Sequence, residues 1–488
     1  MPCPARHPGE RSTPASHSLL EHPGDLAATA LQPHVPARRA ALGAAGLSPS
    51  RAEGSAARSG PHGSPRGAPL SVPAGGSGPG AERRLVSQRL ATDVLVVGGG
   101  PAGSAAAGEL AARGHRVLLA EASRGPRHRV CGEFLSAEAL PLLEQLGALP
   151  AAWVAAPALL ERAVFTTPSG RKLEVKLPEL PSGAGGALGL SRRLLDETLL
   201  KAAALRGVQV LRNTRFVALR RDACGTAAGA TLRTAEGTLA VDAALVIGAD
   251  GRNSAVARDA GLDRPARGNL HCAIKVHFDA GAGFDGLERR VEIHLFPGGY
   301  VGMQPVEGGR INVSAVIEAR LARRLGGGSL AILMRAASGN PAARLRLREA
   351  RPAGAPVSLY PLERRRWASL SDGLLLVGDA AEVVPPFSGD GIAAALYSGI
   401  LAARTAHTAL ETGDVTAGGL SGYREWRRRQ LAPPLAVSGL LEHLLYRPTL
   451  AGALLPVLQR TPAVPQFLLR STRLQLRGGT WPDTPRHR

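Results

Sequence analysis

Residues 91–123 read ATDVLVVGGGPAGSAAAGELAARGHRVLLAEAS and are the most informative part of the chain about its fold. The apolar, β-branched run at 93–97 predicts a short strand that is buried on both faces. It leads directly into the glycine-rich turn Gly98–Gly103, after which an Ala-rich run predicts a helix. Residues 117–120 predict a second strand, so the whole stretch forms a βαβ unit.

The turn has the pattern Gly-x-Gly-x-x-Gly, and each of its glycines has a separate physical task. Gly98 allows the tight turn, Gly100 lets the backbone approach a pyrophosphate, and Gly103 lets the helix pack closely on the strand. The helix begins at Pro101 and Ala102, where free N–H groups and the positive end of the helix dipole attract phosphates.

An acidic residue completes the motif. Glu121 stands 18 residues after Gly103, at the end of the second strand. A carboxylate at this place accepts hydrogen bonds from ribose hydroxyls. The glycine pattern alone is weak, but with a strand before it, a helix after it and this acid it predicts a dinucleotide site. It does not distinguish FAD from NAD.

Two later segments make that distinction through a family resemblance. Residues 245–261, LVIGADGRNSAVARDAG, resemble the Asp-Gly motif of the flavoprotein aromatic hydroxylases and their relatives, and residues 374–403 resemble the Gly-Asp motif of that superfamily. The three motifs follow the family's order and its usual separations. The resemblance implies an FAD-dependent oxidoreductase with non-covalent FAD and with NAD(P)H as a transient electron donor.

The resemblance also implies FAD contacts at the motif positions. Asp379, at the carboxyl end of a buried strand, is expected to accept from the ribityl chain. Backbone N–H groups at Gly389 and Gly391 are expected to face the flavin ring, where the N-terminus of the next helix stabilises negative charge on the reduced flavin. The cofactor contacts implied in the two segments are Asp250, Gly251, Gly378, Asp379, Pro386, Gly391 and Ile392.

A helix of the form SR-x-x-L-D begins at Ser191 and adds a basic side chain. In the family an Arg of this helix points at the flavin. We choose Arg192 over Arg193 because it directly follows the expected N-cap, Ser191.

Residues 129–136, RVCGEFLS, are similar to the Cys-Gly element of geranylgeranyl-reductase-like flavoproteins, which lies beside the flavin. The similarity implies that Arg129 binds the cofactor and that Cys131, with Gly389 and Gly391, forms the catalytic surroundings of the ring. Without the family, Cys131 reads better as a small buried residue, and with the family the two readings are equal.

The substrate side departs from that branch. Residues 297–316 resemble the reductase signature, but the reductases carry Trp and Phe where this chain has Gly302 and Gln304. The missing aromatics favour a wider pocket, so we expect an NAD(P)H-using monooxygenase that hydroxylates an apolar phenolic or polyketide-like substrate. One alternative is a reductase that saturates a prenyl or polyene chain. Another is a flavin-binding protein without turnover.

The predicted fold class is α/β, with a doubly wound, Rossmann-like FAD-binding domain, an inserted antiparallel-sheet substrate domain and a C-terminal helical segment. Strand patterns of the substrate domain occur at 271–278, 289–296, 299–305 and 310–317. The expected domain limits are 91–160, 188–266 and 358–430 for the FAD-binding domain, 161–187 and 267–357 for the substrate domain, and 431–488 for the helical segment.

Residues 1–90 are dense in Pro, Gly, Ser, Ala and Arg and show no periodicity, which predicts a disordered leader. An organelle transit peptide, or a start codon assigned too far upstream, stays open. The segment 433–476 predicts amphipathic helices. We expect them to pack over the FAD-binding domain, and the alternative is a lid over a lipid channel or a contact with a membrane surface.

The formal net charge of +20 does not indicate a nucleic-acid partner, because the basic residues are almost all Arg and no basic stripe with aromatics occurs. The four cysteines form no CxxC pair, and no clustered metal-ligand motif is visible, so no metal site is expected. A reducing, cytoplasmic compartment fits this composition, with the protein at most peripheral to a membrane. The pattern leaves the oligomeric state open.

Overall fold

The computed structural model describes residues 88–179, 186–262, 270–362, 369–461 and 463–474. The expected leader therefore lies outside the described residues, except for 88–90, which begin the first strand. Residues 475–488 of the expected helical segment also lie outside them.

The strands of the described residues are β1 (Gln88–Val97), β2 (Val117–Ala120), β3 (Phe134–Ser136), β4 (Ala158–Leu160), β5 (Arg162–Thr166), β6 (Lys172–Lys176), β7 (Ala187–Gly189), β8 (Gln209–Leu211), β9 (Arg215–Arg221), β10 (Ala227–Arg233), β11 (Thr238–Gly248), β12 (His271–Asp279), β13 (Arg290–Phe296), β14 (Gly299–Val306), β15 (Arg310–Glu318), β16 (Val357–Leu362), β17 (Leu370–Ser371) and β18 (Leu374–Leu376).

The helices are α1 (Pro101–Ala112), α2 (Ala139–Gln145), α3 (Leu149–Val154), α4 (Arg192–Leu205), α5 (Ala255–Asp259), α6 (Ala319–Leu325), α7 (Ser329–Ala337), α8 (Pro341–Leu347), α9 (Gly391–Thr412), α10 (Ser421–Gln430), α11 (Ala432–Leu445), α12 (Pro448–Arg460) and α13 (Ala463–Ser471). Within the described residues, none of these helices combines the length and the apolar composition that crossing a bilayer requires.

The first sheet carries the predicted βαβ unit. Its path is β17-β18-β11-β1-β2-β8, and the pairs from β18 to β8 are parallel. One face packs on α1, α4 and α9, and β9, β10 and α5 cover the other. Because β1 is buried on both faces, its residues Val94–Val97 are continuously apolar. The α/β fold class with a Rossmann-like sheet is confirmed.

The second sheet has the order β16-β12-β15-β14-β13-β5-β6 and is antiparallel except for the parallel pair β13–β5. Strands β12 to β15 fall where the sequence patterns predict them. Strand β16 also joins this sheet, although the expected limits place residues 358–362 with the FAD-binding domain. The domain limits stay a prediction, because the described residues belong to one compact unit.

The C-terminal helices form as predicted but pack differently. Leu435 of α11 joins the core of the first sheet. Further along, Leu445, Leu455 and Leu458 pack with Leu173 and with other residues of the second sheet. The expectation that these helices cover the FAD-binding domain is therefore wrong for most of the segment, because their apolar faces match the open apolar face of the second sheet.

Candidate active site

A cavity of about 840 Å³ extends from the carboxyl edge of the first sheet to the second sheet. It brings together the predicted site residues apart from Gly103. Those that line it are Gly98, Gly100, Pro101, Ala102, Glu121, Arg129, Cys131, Arg192, Asp250, Gly251, Gly378, Asp379, Pro386, Gly389, Gly391 and Ile392.

The glycine turn has the geometry that its pattern predicts. Gly98 has φ +109°, and a Cβ there would stand 2.4 Å from the Ala249 carbonyl oxygen. A Cβ on Gly103 would stand 1.8 Å from the Gly98 oxygen, so Gly103 serves the packing of α1 rather than the cavity. At Gly100 the nearest atom to such a Cβ is 3.9 Å away, which leaves open space over the turn. The N-cap of α1 is Gly100, and no side chain caps this helix end, so its first N–H groups remain for another acceptor.

Glu121 is buried at the end of β2, where its carboxylate holds the turn. It accepts hydrogen bonds from the Gly99 N–H at 2.7 Å and from the Ser123 N–H and hydroxyl at 2.9 and 2.6 Å. Burial raises the pKa of Glu121, but these hydrogen bonds outweigh it and hold the pKa below its ordinary value. The carboxylate is thus ionised and fixed at the cavity wall, and its contact with a ribose stays a prediction.

The two predicted aspartates differ in their surroundings. Asp250 accepts from the Ser254 hydroxyl and from the Ala255 N–H, both at 2.6 Å, so it braces the turn before α5. Burial raises the pKa of Asp250. Asp379 pairs with Arg252 at 3.0 Å through one carboxylate oxygen, Oδ2. Arg252, for which no motif predicts a role, also lines the cavity.

Ser191 caps α4 as predicted, because its hydroxyl accepts from the Leu194 N–H. Arg192 then makes a bidentate pair with Asp196, at 2.7 and 2.9 Å, and Arg129 reaches the same carboxylate at 3.2 Å. Burial lowers the pKa of Arg192, but Asp196 and the Cys131 sulfur outweigh it and hold the pKa above its ordinary value. Arg192 therefore remains charged beside the cavity, whereas burial lowers the pKa of Arg129 below its ordinary value.

The loop with Cys131 is tied to the second sheet. Asn312 donates to the carbonyl oxygens of Cys131 and Gly132, at 3.2 and 2.7 Å. Gln304 donates to the Glu133 carbonyl at 2.8 Å and is itself buried. The replacement of an aromatic by Gln304 thus does more than widen the pocket, because the amide fixes the loop that carries Cys131.

A buried charged cluster that the sequence analysis missed lies under this loop. The fully buried Glu133 accepts from the Lys275 Nζ, from His277 Nε2 at 2.6 Å and from the Arg192 N–H at 2.8 Å. Burial raises the pKa of Glu133, but His277 and Lys275 outweigh it and hold the pKa below its ordinary value. One signal was available: Lys275 interrupts an apolar strand in a chain whose basic residues are almost all Arg.

Two groups of side chains have the geometry of a metal site, although the sequence predicts none. His128, Glu133 and His277 place their ligand atoms within 4.8 Å of one another, as do His115, His407 and Glu411. In the first group Lys275 already neutralises the carboxylate, which opposes a second cation there.

The far part of the cavity is apolar. Strands of the second sheet contribute Phe165, Leu173, Ile293 and Tyr300, among others. Helices α11 to α13 close it with Leu441, Leu445, Leu454, Leu455, Leu458, Pro465, Leu468 and Leu469. Burial raises the pKa of Tyr300 well above its ordinary value, so its phenol is neutral. This chamber suits an apolar ligand that lies against the glycine-lined half.

Comparisons with known proteins agree with this geometry. The profile of the family described as FAD binding domain matches residues 91–431. The digeranylgeranylglycerophospholipid reductase of Methanoculleus marisnigri is 32% identical over 350 residues, which cover 70% of this chain and 83% of that protein. Digeranylgeranylglycerophospholipid reductase 1 of Methanopyrus kandleri is 34% identical over 351 residues, which cover 68% and 85%.

Solved structures share the fold. A geranylgeranyl bacteriochlorophyll reductase-like protein from Thermoplasma acidophilum has a TM-score of 0.67 at 24% identity, over 79% of this chain and 96% of that chain. The myxobacterial chondrochloren halogenase has a TM-score of 0.65 at 23% identity, over 73% and 83%. At these identities the likeness shows the fold alone.

Proposed function

The chain belongs to the FAD binding domain family, and we propose that it is a reductase that saturates carbon–carbon double bonds in an apolar, isoprenoid-type chain. That it is an FAD-dependent oxidoreductase follows from the family and its reductase-named relatives. Gly302 and Gln304 favour a hydroxylase at the level of the sequence. The relatives support a reductase better, since both are named reductases and the match covers most of their length.

The residues present fit FAD. Gly100, Gly251 and Gly391 leave open space where a side chain would stand, and they line one continuous wall of the cavity. The uncapped N-terminus of α1 suits the pyrophosphate, and Glu121 suits a ribose. Arg129, Arg192 and Asp379 add charged partners along that wall. FAD, when bound, supplies the hydride chemistry, and NAD(P)H is the donor that we propose to reduce it.

The apolar chamber carries the proposal. Leucines of α11 to α13 and apolar residues of the second sheet line it, and the same cavity reaches Cys131, Gly389 and Gly391. An apolar ligand bound there is shielded from water, and it lies next to the loop that carries Gly389 and to the N-terminus of α9. Gly389 has φ +69°, and a Cβ there would stand 3.1 Å from the Phe134 ring, so the backbone of this loop packs closely.

The chain's own groups then have distinct tasks. Gln304, Asn312 and Glu133 fix the Cys131 loop against the second sheet. The helix dipole of α9 favours negative charge that develops at its N-terminus. Apolar walls exclude water and strengthen these electrostatic contributions.

Oxygen dependence separates the proposal from hydroxylation. The purified protein is incubated with NADPH and a geranylgeranyl lipid, with and without O₂, and the products are analysed by mass spectrometry. The proposal expects products that gain two hydrogen atoms per double bond in the absence of O₂. Products that carry an added oxygen and require O₂ would establish the hydroxylase instead. No product under either condition, with FAD bound, would favour a flavoprotein without turnover.

A further inference from the structure

The outer surface of helices α11 to α13 is apolar. Across the described residues of this segment, large hydrophobic side chains stand in solvent, with exposed fractions of 61% for Leu440, 41% for Leu450, 56% for Val457, 42% for Val464 and 67% for Phe467. We call these five residues the outer apolar face. Single exposed apolar residues are ordinary on protein surfaces, but five large ones on three successive helices indicate a contact site.

The spacing of these residues follows the helices. Leu450 and Val457 are seven residues apart on α12, and Val464 and Phe467 are three apart on α13, so each pair shares a helix face. Other residues of the same helices, such as Leu455 and Leu468, line the cavity. The helices are therefore apolar on both sides, whereas a helix that merely covers a core has a polar outer side.

The exposed charges that these helices themselves carry have one sign. Arg447, Arg460 and Arg470 are exposed at or near the ends of these helices. The segment 431–474 contains a single acidic residue, Glu442, and it is buried. Exposed arginines without exposed carboxylates favour an anionic surface, and the formal net charge of +20 adds attraction at longer range.

We propose that the outer apolar face docks on an anionic lipid bilayer. Phe467, Val457 and their neighbours enter the interface, and the arginines contact lipid phosphates. The same helices form the chamber wall, so a docked protein would take its lipid from the bilayer into the chamber. This entry of the lipid rests on the proposed function. Docking itself does not, so vesicle binding can be measured without turnover.

The test uses the full chain with FAD bound and sucrose-loaded vesicles of phosphatidylcholine, either alone or with an equal share of phosphatidylglycerol. Co-sedimentation gives the partition coefficient. We expect binding to the anionic vesicles that exceeds binding to the neutral ones. Phe467→Asp should lower the partition coefficient about tenfold, since it removes an inserted ring and adds a repelled charge.

A double variant, Arg460→Gln with Arg470→Gln, should lower binding to anionic vesicles by about tenfold or more and leave the weak binding to neutral vesicles unchanged. Leu205→Asp is the matched control, because Leu205 is 90% exposed at the end of α4. It should bind like the unmodified protein. FAD content and Tm confirm that each variant is folded.

The proposal is overturned if the unmodified protein stays in the supernatant with anionic vesicles, or if Phe467→Asp and Leu205→Asp behave alike. Light scattering on the same variants tests whether a second copy of this chain, instead of a bilayer, covers the outer apolar face. If Phe467→Asp dissociates an oligomer and leaves vesicle binding unchanged, the face is an interface between subunits and the bilayer proposal falls.

Discussion

Glu133 adopts a left-handed backbone conformation, with φ 57°, which favours glycine and is strained for other residues. Its carboxylate gathers donors from β12 and from the start of α4. The sequence offers the Cys-Gly element around it but not the partners, because Lys275 lies 142 residues away. A buried carboxylate and a buried lysine can be recognised one by one, whereas their pairing requires the fold.

Replacement of Glu133 by Gln should lower the free energy of unfolding by about 3–5 kcal/mol, because Lys275 then remains buried without a counter-charge. Urea unfolding of the two proteins measures the difference. The matched control is Glu425→Gln, which removes an exposed partner of Arg429 and should leave stability almost unchanged. Equal losses of unfolding free energy in the two variants would show that the buried Glu133–Lys275 pair contributes no more to stability than an exposed pair.

The lowered pKa of Glu292 makes the stability of the fold depend on pH. Burial raises its pKa, but His294 and Arg346 outweigh it and lower the pKa from 4.5 to about 2. A carboxyl whose pKa is lower in the folded protein stabilises the fold above the unfolded value, and this stabilisation is lost as the pH falls through the folded value. Between pH 4.5 and 2 the unmodified protein should therefore lose stability more steeply than Glu292→Gln. Parallel curves in stepwise urea unfolding would contradict this assignment.

Elements with a local signature were predictable. The glycine turn, α1 and strands β12 to β15 follow from short patterns, because glycine tolerance and side-chain alternation are local properties. Contacts between distant elements were not. Helices α11 to α13 were predicted as helices, but the choice between the two sheets depends on which apolar face stays uncovered, and a helical pattern does not contain that information.

The close packing of α1 on the glycine turn can be tested by substitution. Gly103→Ala should abolish FAD retention and lower the Tm, because the added Cβ would stand 1.8 Å from the Gly98 oxygen. Gly108→Ala is the control in the same helix, where the Cβ would make an ordinary 3.5 Å contact with Ala203. That variant should keep its FAD and gain up to about 1 kcal/mol of helix stability. Flavin absorbance per protein and thermal unfolding measure both, and full retention in Gly103→Ala would refute the packing role.

At the scale of the whole molecule, one cavity joins the two sheets and the C-terminal helices. The motifs were enough to predict the cofactor, and sixteen of the predicted site positions line this one cavity. The apolar half has no such motif, because its leucines come from α11 to α13 and from strands far apart in the sequence. The helical pattern of 433–476 offered a lid over a lipid channel only as an alternative. Gln304 shows the same limit: its identity suggested an open pocket, while its hydrogen bond to Glu133 appears only in the fold.

Anaerobic reoxidation of the bound flavin by a lipid tests whether the protein is a double-bond reductase. The protein-bound FAD is reduced without O₂, a geranylgeranyl lipid is added in a stopped-flow instrument, and the return of the oxidised flavin absorbance is followed. Reduction of the lipid must return electrons from the flavin, so we predict reoxidation at a rate that rises with lipid concentration, with a saturated isoprenoid of equal length producing none. If the flavin stays reduced until O₂ is admitted, the protein is not a double-bond reductase.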